Sequence, residues 1–149
     1  MNNRNYAFDF YTVWAQGTAL YGKWAASQGI SYTELSVLYA LASKTFTTQK
    51  TICDFYGLPK QTVSNSIRHL EKEKIIKLET SKSDKREKII KLTDLGNKYC
   101  HDILFSLFKI EEYICRNISS DKFIQAIETR NLFNTLFEKE MKRSIKKHE

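Results

Sequence analysis

Gln61, Ser64, Asn65, Arg68 and Lys72 are spaced so that a helix, at about 100° per residue, gathers them on one side, with Val63, Ile67 and Leu70 on the other. That polar side holds groups suited to the edges of base pairs. The Arg68 guanidinium can donate bidentately to guanine O6 and N7, the amide of Asn65 or Gln61 can pair with adenine N6 and N7, and the Ser64 hydroxyl can serve a base or a phosphate. Lys60, Thr62 and Lys72 complete the set, with Lys60, Ser64 and Lys72 mainly on phosphate. A second polar cluster follows: Lys82, Ser83, Asp84, Lys85, Arg86 and Lys88 sit around a turn between two short β-branched runs. Such a tip can lie along a nucleic-acid backbone or in a minor groove. The chain has 18 lysines and six arginines, yet an arginine stands at the tip. A planar, weakly hydrated guanidinium suits a narrow A·T-rich minor groove better than an ammonium does. Asp84 can cap the turn or hold the Arg86 guanidinium.

Other chemistries find little support. No glycine-rich phosphate loop is present, and Cys100 and His101 are neighbours, about 100° apart on a helix, so they cannot pair as nucleophile and base. No catalytic residue is assigned, and the chain is not expected to be an enzyme. His101, Cys100, Glu111, Glu112 and Cys115 lie along one helical region, but only His69 with Glu73 and Glu111 with Cys115 have the i, i+4 spacing of helical zinc ligands. Neither pair has an obvious third ligand, so no metal or cofactor is expected. Cys53, Cys100 and Cys115 fall in apolar segments and read as core cysteines, although a sensing thiol remains an alternative. Tyr11, Trp14, Tyr21 and Trp24, with Phe8, either pack an interface or line a pocket for a small aromatic or apolar effector.

The charge distribution agrees with the polar clusters. Lys60 to Lys91 holds ten basic and five acidic residues, a net +5 out of +7 for the chain, and a basic tail runs from Lys139 to Lys147. A positive focus of this kind is the footprint of a polyanion site. The 149 residues suffice for one domain of ordinary size without disulfides. Three well-separated cysteines without CxxC spacing fit a reducing cytoplasm. Between Asp9 and Glu34 the only charge is Lys23, but Thr12, Gln16, Gly17, Thr18, Ser27, Gln28 and Gly29 interrupt the stretch, so it reads as a buried or interfacial helix and not as a membrane span or secretory signal.

The elements that must position these residues are mostly helical, since apolar residues recur at three and four positions and there is one proline. Phe10, Val13, Trp14, Gly17, Leu20, Tyr21 and Trp24 form the stripe of a first helix. Ser31 and Glu34 have capping-box spacing, Ile30 and Leu35 could form a hydrophobic staple, and Leu35, Leu38, Tyr39 and Ala42 are expected inside. Thr48 caps a short helix carrying Ile52, Cys53 and Phe55 to Gly57, and Leu58-Pro59 leads into a fourth helix from Lys60 to Lys72 or Glu73. Ile76–Thr80 and Lys88–Leu92 read as two strands. Thr93 caps a long helical region, broken and recapped at Ser119-Ser120-Asp121.

A short helix, a tight turn, a polar-faced helix and a basic hairpin make a winged helix-turn-helix, in which the polar face enters the major groove. Gln61-Thr62-Val63-Ser64-Asn65, Leu70-Glu71-Lys72, Asp84-Lys85-Arg86 and Leu92-Thr93-Asp94-Leu95-Gly96 together resemble the MarR-type transcriptional regulators. The resemblance covers the middle of the chain. It implies an obligate homodimer with interlocked terminal helices on a pseudopalindromic operator, with Asp84 orienting an Arg86 that enters the minor groove. One residue departs from the family pattern: glycine is usual where this chain has Lys74, and lysine there costs roughly 1 kcal/mol or requires a different helix end.

The expected fold is thus mainly α with a small two-stranded β-wing. The single domain would comprise a winged-helix core at 31–95 and dimerisation helices at 6–27 and 97–145. The expected partners are double-stranded DNA, a second copy of the chain and a small effector, with no membrane. The function this implies is a sequence-specific regulator, a repressor released by a ligand. A metal- or redox-responsive regulator on the same fold, or a winged-helix module that binds protein, are the alternatives.

Overall fold

The computed structural model describes residues 5–43 and 47–145, so Lys146 and Lys147 of the basic tail lie outside the described residues. The elements run α1 (Tyr6–Ser27), α2 (Tyr32–Ala42), α3 (Gln49–Tyr56), α4 (Lys60–Lys72), β1 (Ile76–Thr80), β2 (Lys88–Leu92), α5 (Asp94–Asn117) and α6 (Ser120–Ile145). The architecture is the mainly helical one with a two-stranded antiparallel hairpin that the periodicity predicts. No helix among the described residues is long and apolar enough to cross a membrane.

The chain divides into two compact units, one ending at Leu104 and the other beginning at Phe105. In the first, α2 packs against α1, α3, α4 and β2. Its start is the expected capping box: Glu34 N–H donates to Ser31 Oγ (3.1 Å), and Ser31 N–H donates to Glu34 Oε2 (2.8 Å). Its inward face is wider than the expected stripe. Leu35 and Leu38 are buried, but so are Val37, Ala40 and Leu41, whereas Tyr39 is half-buried and Ala42 is exposed. A helix covered by four neighbours has no single apolar stripe. Ile52 of α3, Val63, Ile67 and Leu70 of α4, and Ile76 and Ile90 of the hairpin complete this core.

Two helices end in the same way. After α1, Gly29 N–H donates to Ala26 O and Ile30 N–H to Ala25 O, both at 3.1 Å. After α4, Lys74 N–H donates to Glu71 O and Ile75 N–H to Leu70 O, both at 2.9 Å. These are Schellman motifs, each with its two apolar residues buried. Gly29 meets the left-handed requirement freely at φ 76°, and Lys74 meets it at φ 58°. The helix end typical of the resemblance is therefore kept without its glycine.

The hairpin is in register from Ile76 opposite Leu92 to Thr80 opposite Lys88. A piece that periodicity does not predict joins it: Thr48 bridges Ile89, and Ile90 N–H donates to Thr47 O at 2.7 Å. Thr93 then locks the hairpin to α5. Its hydroxyl donates to Lys74 O (2.6 Å) and accepts Gly96 N–H (2.9 Å), and its own N–H donates to Ile75 O (3.0 Å).

In the second unit, α6 buries none of its residues within the chain. Ile124, Ile127, Leu132, Leu136 and Phe137 are each more than half exposed.

Candidate nucleic-acid interface

α4 enters from Pro59, and Gln49 Nε2 donates to Lys60 O at 3.0 Å, tying its first residue to α3. Val63, Ser66, Ile67 and Leu70 are buried, which leaves Lys60, Gln61, Thr62, Asn65, Arg68 and Lys72 exposed and Ser64 half-buried. The expected face is therefore one surface. Its residues also bond one another: Asn65 Oδ1 accepts from Gln61 Nε2 (3.0 Å) and from Arg68 Nη2 (2.5 Å), and Arg68 Nε donates to Ser64 O (3.4 Å). At the far end, His69 Nδ1 meets Glu34 Oε1 at 2.6 Å, fixing α4 to the start of α2. The partner of His69 is thus Glu34 and not Glu73, which shares only its spacing.

In the wing, Lys82, Ser83, Asp84, Lys85, Arg86 and Lys88 are all exposed, around a buried Ser81. Ser81 Oγ accepts from Ser83 N–H (3.3 Å) and Asp84 N–H (3.4 Å), and Asp84 Oδ1 accepts Arg86 N–H at 2.8 Å. Of the two roles open to Asp84, it takes the turn cap, an Asx-turn that holds the Arg86 backbone. On the hairpin body, Glu79 receives Lys91 Nζ (2.6 Å) and Lys77 Nζ (3.0 Å). These hydrogen bonds, Lys91 first, hold its carboxyl at about 2 against the ordinary 4.5. Two lysines of the positive segment are therefore neutralised inside the wing.

A groove of about 550 Å³ lies between α3, the start of α4 and the wing. Lys60 from the start of α4 lines it together with Arg86 and Lys88 of the wing, and Lys50 of α3 faces the same space. Asp54 and Glu87 also line it, leaving cations in the majority. Lys50 escapes a reading by sequence because it lies alone on α3, and only the fold brings it beside the other three. Cys53 lies in this groove too, half-buried, its thiol pKa raised by burial and then by Asp54.

A second, apolar cavity of about 440 Å³ lies among α1, α2 and α3. Trp14 and Tyr21 line it, whereas Tyr11 stacks obliquely on Trp14 at 6.0 Å and, like Trp24, lies outside the lining. Tyr32, Tyr39, Phe55 and Tyr56 supply the remaining aromatic walls. Burial, then the neighbouring Tyr32, raises the Tyr56 phenol pKa.

The cysteines do not share one setting. Cys100 is a core residue whose Sγ donates to Leu38 O at 3.6 Å, and burial pushes its thiol up to about 11. Cys115 is exposed and Cys53 half-buried, so the expectation of three core cysteines is corrected. Apolar spacing places a residue on a face without saying what covers that face. No cluster of three or more metal-ligating side chains occurs among the described residues.

A MarR family model matches residues 28–87, the region from the end of α1 through α4 and the wing tip. Among curated proteins, no sequence matches the chain. The fold is similar to that of a MarR family regulator from Neisseria meningitidis, at 23% identity and a TM-score of 0.82 over 95% of this chain and 99% of that one. It is also similar to Staphylococcus aureus MarR in complex with salicylate and kanamycin, at 23% identity and a TM-score of 0.68 over 91% of each chain. The S. aureus MepR–DNA complex matches at 22% identity and a TM-score of 0.62, over 91% of this chain and 99% of that one.

Proposed function

We propose that this MarR-type winged-helix chain is a cytoplasmic, sequence-specific transcriptional regulator that binds double-stranded DNA as a homodimer and acts as a repressor. The observation that supports the reading is the groove where Lys60, at the start of α4, lines one space with Arg86 and Lys88 of the wing, so that cations from both elements face it together. In this reading Gln61, Asn65 and Arg68 face base edges. Lys50, Lys60, Thr62, Ser64 and Lys72 meet phosphates, and the wing follows the backbone with Arg86 in the minor groove. The MepR–DNA complex lends the same fold a DNA-bound precedent.

The dimer is supported by the exposed apolar residues of α1 in the first unit and of α6 in the second. Two-fold symmetry then makes the operator a pseudopalindrome with half-sites about one helical turn apart. Release by a small aromatic or apolar ligand is supported by the aromatic cavity beside α3, because α3 also contributes Lys50 to the basic groove.

Selection of bound duplexes from a random library, followed by a salt titration on the consensus, tests this reading. It expects a pseudopalindromic consensus and an affinity that falls steeply with salt as counterions are released. A salt-independent affinity with no enriched sequence would refute it.

A further inference from the structure

We infer that Asn65 reads its base pair as a hydrogen-bond donor only, selecting against cytosine without singling out adenine, while Arg68 beside it is set for guanine. The inference rests on the reading of α4 as the helix that meets base edges. Arginine carries donors and no acceptor, so the Asn65 atom that faces Arg68 Nη2 must be the carbonyl oxygen. The same Oδ1 accepts Gln61 Nε2. An amide oxygen has two lone pairs, and both are engaged.

The bidentate adenine contact needs that oxygen free, because it must accept from N6 while the amide nitrogen donates to N7. With Oδ1 engaged, Asn65 presents only Nδ2. In the major groove guanine offers N7 and O6, adenine N7 and thymine O4 to such a donor, whereas cytosine presents its N4 donor. The adenine pairing expected from residue type alone is thus closed to Asn65. Turning the amide over would bring Nδ2 against two donors and leave both without their acceptor in a groove that binding dries.

The same bonds prepare Arg68. Its Nε donates to Ser64 O and one Nη2 hydrogen is on Asn65, which leaves the Nη1 hydrogens and the other Nη2 hydrogen along the outer edge. That edge matches guanine O6 and N7.

Selection from a random duplex library with the full chain and with its Arg68→Ala and Asn65→Asp variants tests this, with thermal unfolding confirming that each variant folds. The pair that loses its guanine preference in Arg68→Ala is the one Arg68 reads, and the pair that changes in Asn65→Asp while that guanine is kept belongs to Asn65. For the parent chain we expect guanine at the first. At the second, cytosine should be depleted about tenfold, with adenine and guanine accepted alike. Asn65→Asp keeps an acceptor for Arg68 but replaces the donor, so cytosine should become favoured at the second pair while guanine stays at the first. Strong adenine preference in the parent at the Asn65 pair overturns the inference, as does an Asn65→Asp profile that is unchanged or has lost guanine, and in these cases α4 remains the reader. A selection that enriches no sequence, or one that neither variant alters, overturns the reading of α4 itself and the inference with it.

Discussion

The Thr93 hydroxyl links Lys74 and Gly96 at one junction, and each stands in a position where the other residue type would serve differently. Lys74 holds φ 58° to complete the helix end after α4, a conformation that costs an L-residue about 1 kcal/mol more than glycine. Lys74→Gly should therefore raise unfolding stability by about 1 kcal/mol in urea titrations, with the m-value unchanged. Gly96 faces the opposite demand, because a Cβ added there would lie 1.8 Å from Ile75 O. Since that obstacle is backbone, Gly96→Ala should destabilise by about 3 kcal/mol or move α5 off the hairpin, which the same titration reads. The need for glycine at 96 could be seen in the sequence only through the family resemblance, since its cause is a carbonyl 21 residues away in the chain. The polar face of α4 was legible from spacing alone. The bonds from Gln61 and Arg68 to Asn65 were not, because spacing fixes which residues are neighbours and side-chain torsions fix which atoms meet.

Among the elements, helix boundaries were the most legible features, because Ser31, Thr48, Gly57, Pro59 and Thr93 act within a turn of themselves. Burial was less so: Ala42 and Phe55 are exposed because the cover of a helix depends on what packs against it. The pairing of Thr48 with Ile89 is a single bridge and leaves no alternation to detect. The wing's stability also has a pH dependence that follows from Glu79. Its folded pKa of about 2 lies below the ordinary 4.5, so the contribution of its bonds from Lys91 and Lys77 is complete above 4.5 and is lost as pH falls towards 2. An NMR titration of the Glu79 carboxyl should show a midpoint near the lower value, and in Lys91→Ala it should move back up. At the tip, the Asp84 cap fixes the backbone of Arg86 without engaging its guanidinium, which is the group proposed to enter the minor groove. Arg86→Lys should then weaken binding by about 1 kcal/mol or more, chiefly on operators with A·T-rich flanks. Equal affinities of the two proteins on A·T-rich and G·C-rich flanks would reduce Arg86 to one more phosphate contact.

For the molecule as a whole, the decisive feature is apolar surface that each unit leaves uncovered. Along α1, Tyr6, Phe8, Tyr11, Val13 and Leu20 are each more than half exposed, and α6 buries no residue at all. An isolated helix is marginal in water and draws most of its stability from packing an apolar face, so a 26-residue helix with no buried residue calls for a second surface. The sequence placed dimerisation helices at 6–27 and 97–145, but what covers their apolar residues cannot be read from one chain's periodicity. A second copy of the chain is the proposed occupant, in keeping with the symmetric operator proposed above. If folding and association are one step, the melting temperature must depend on protein concentration by mass action, rising as the chain is concentrated, whereas a monomer's would not change. Sedimentation at micromolar concentration should accordingly give a dimer. Leu136→Glu and Phe137→Glu in α6 should lower the melting temperature and shift the protein towards monomer without touching the basic groove. Loss of operator binding in that double variant, restored at high protein concentration, would tie DNA recognition to dimerisation. Full operator affinity in a monomeric variant would separate the two.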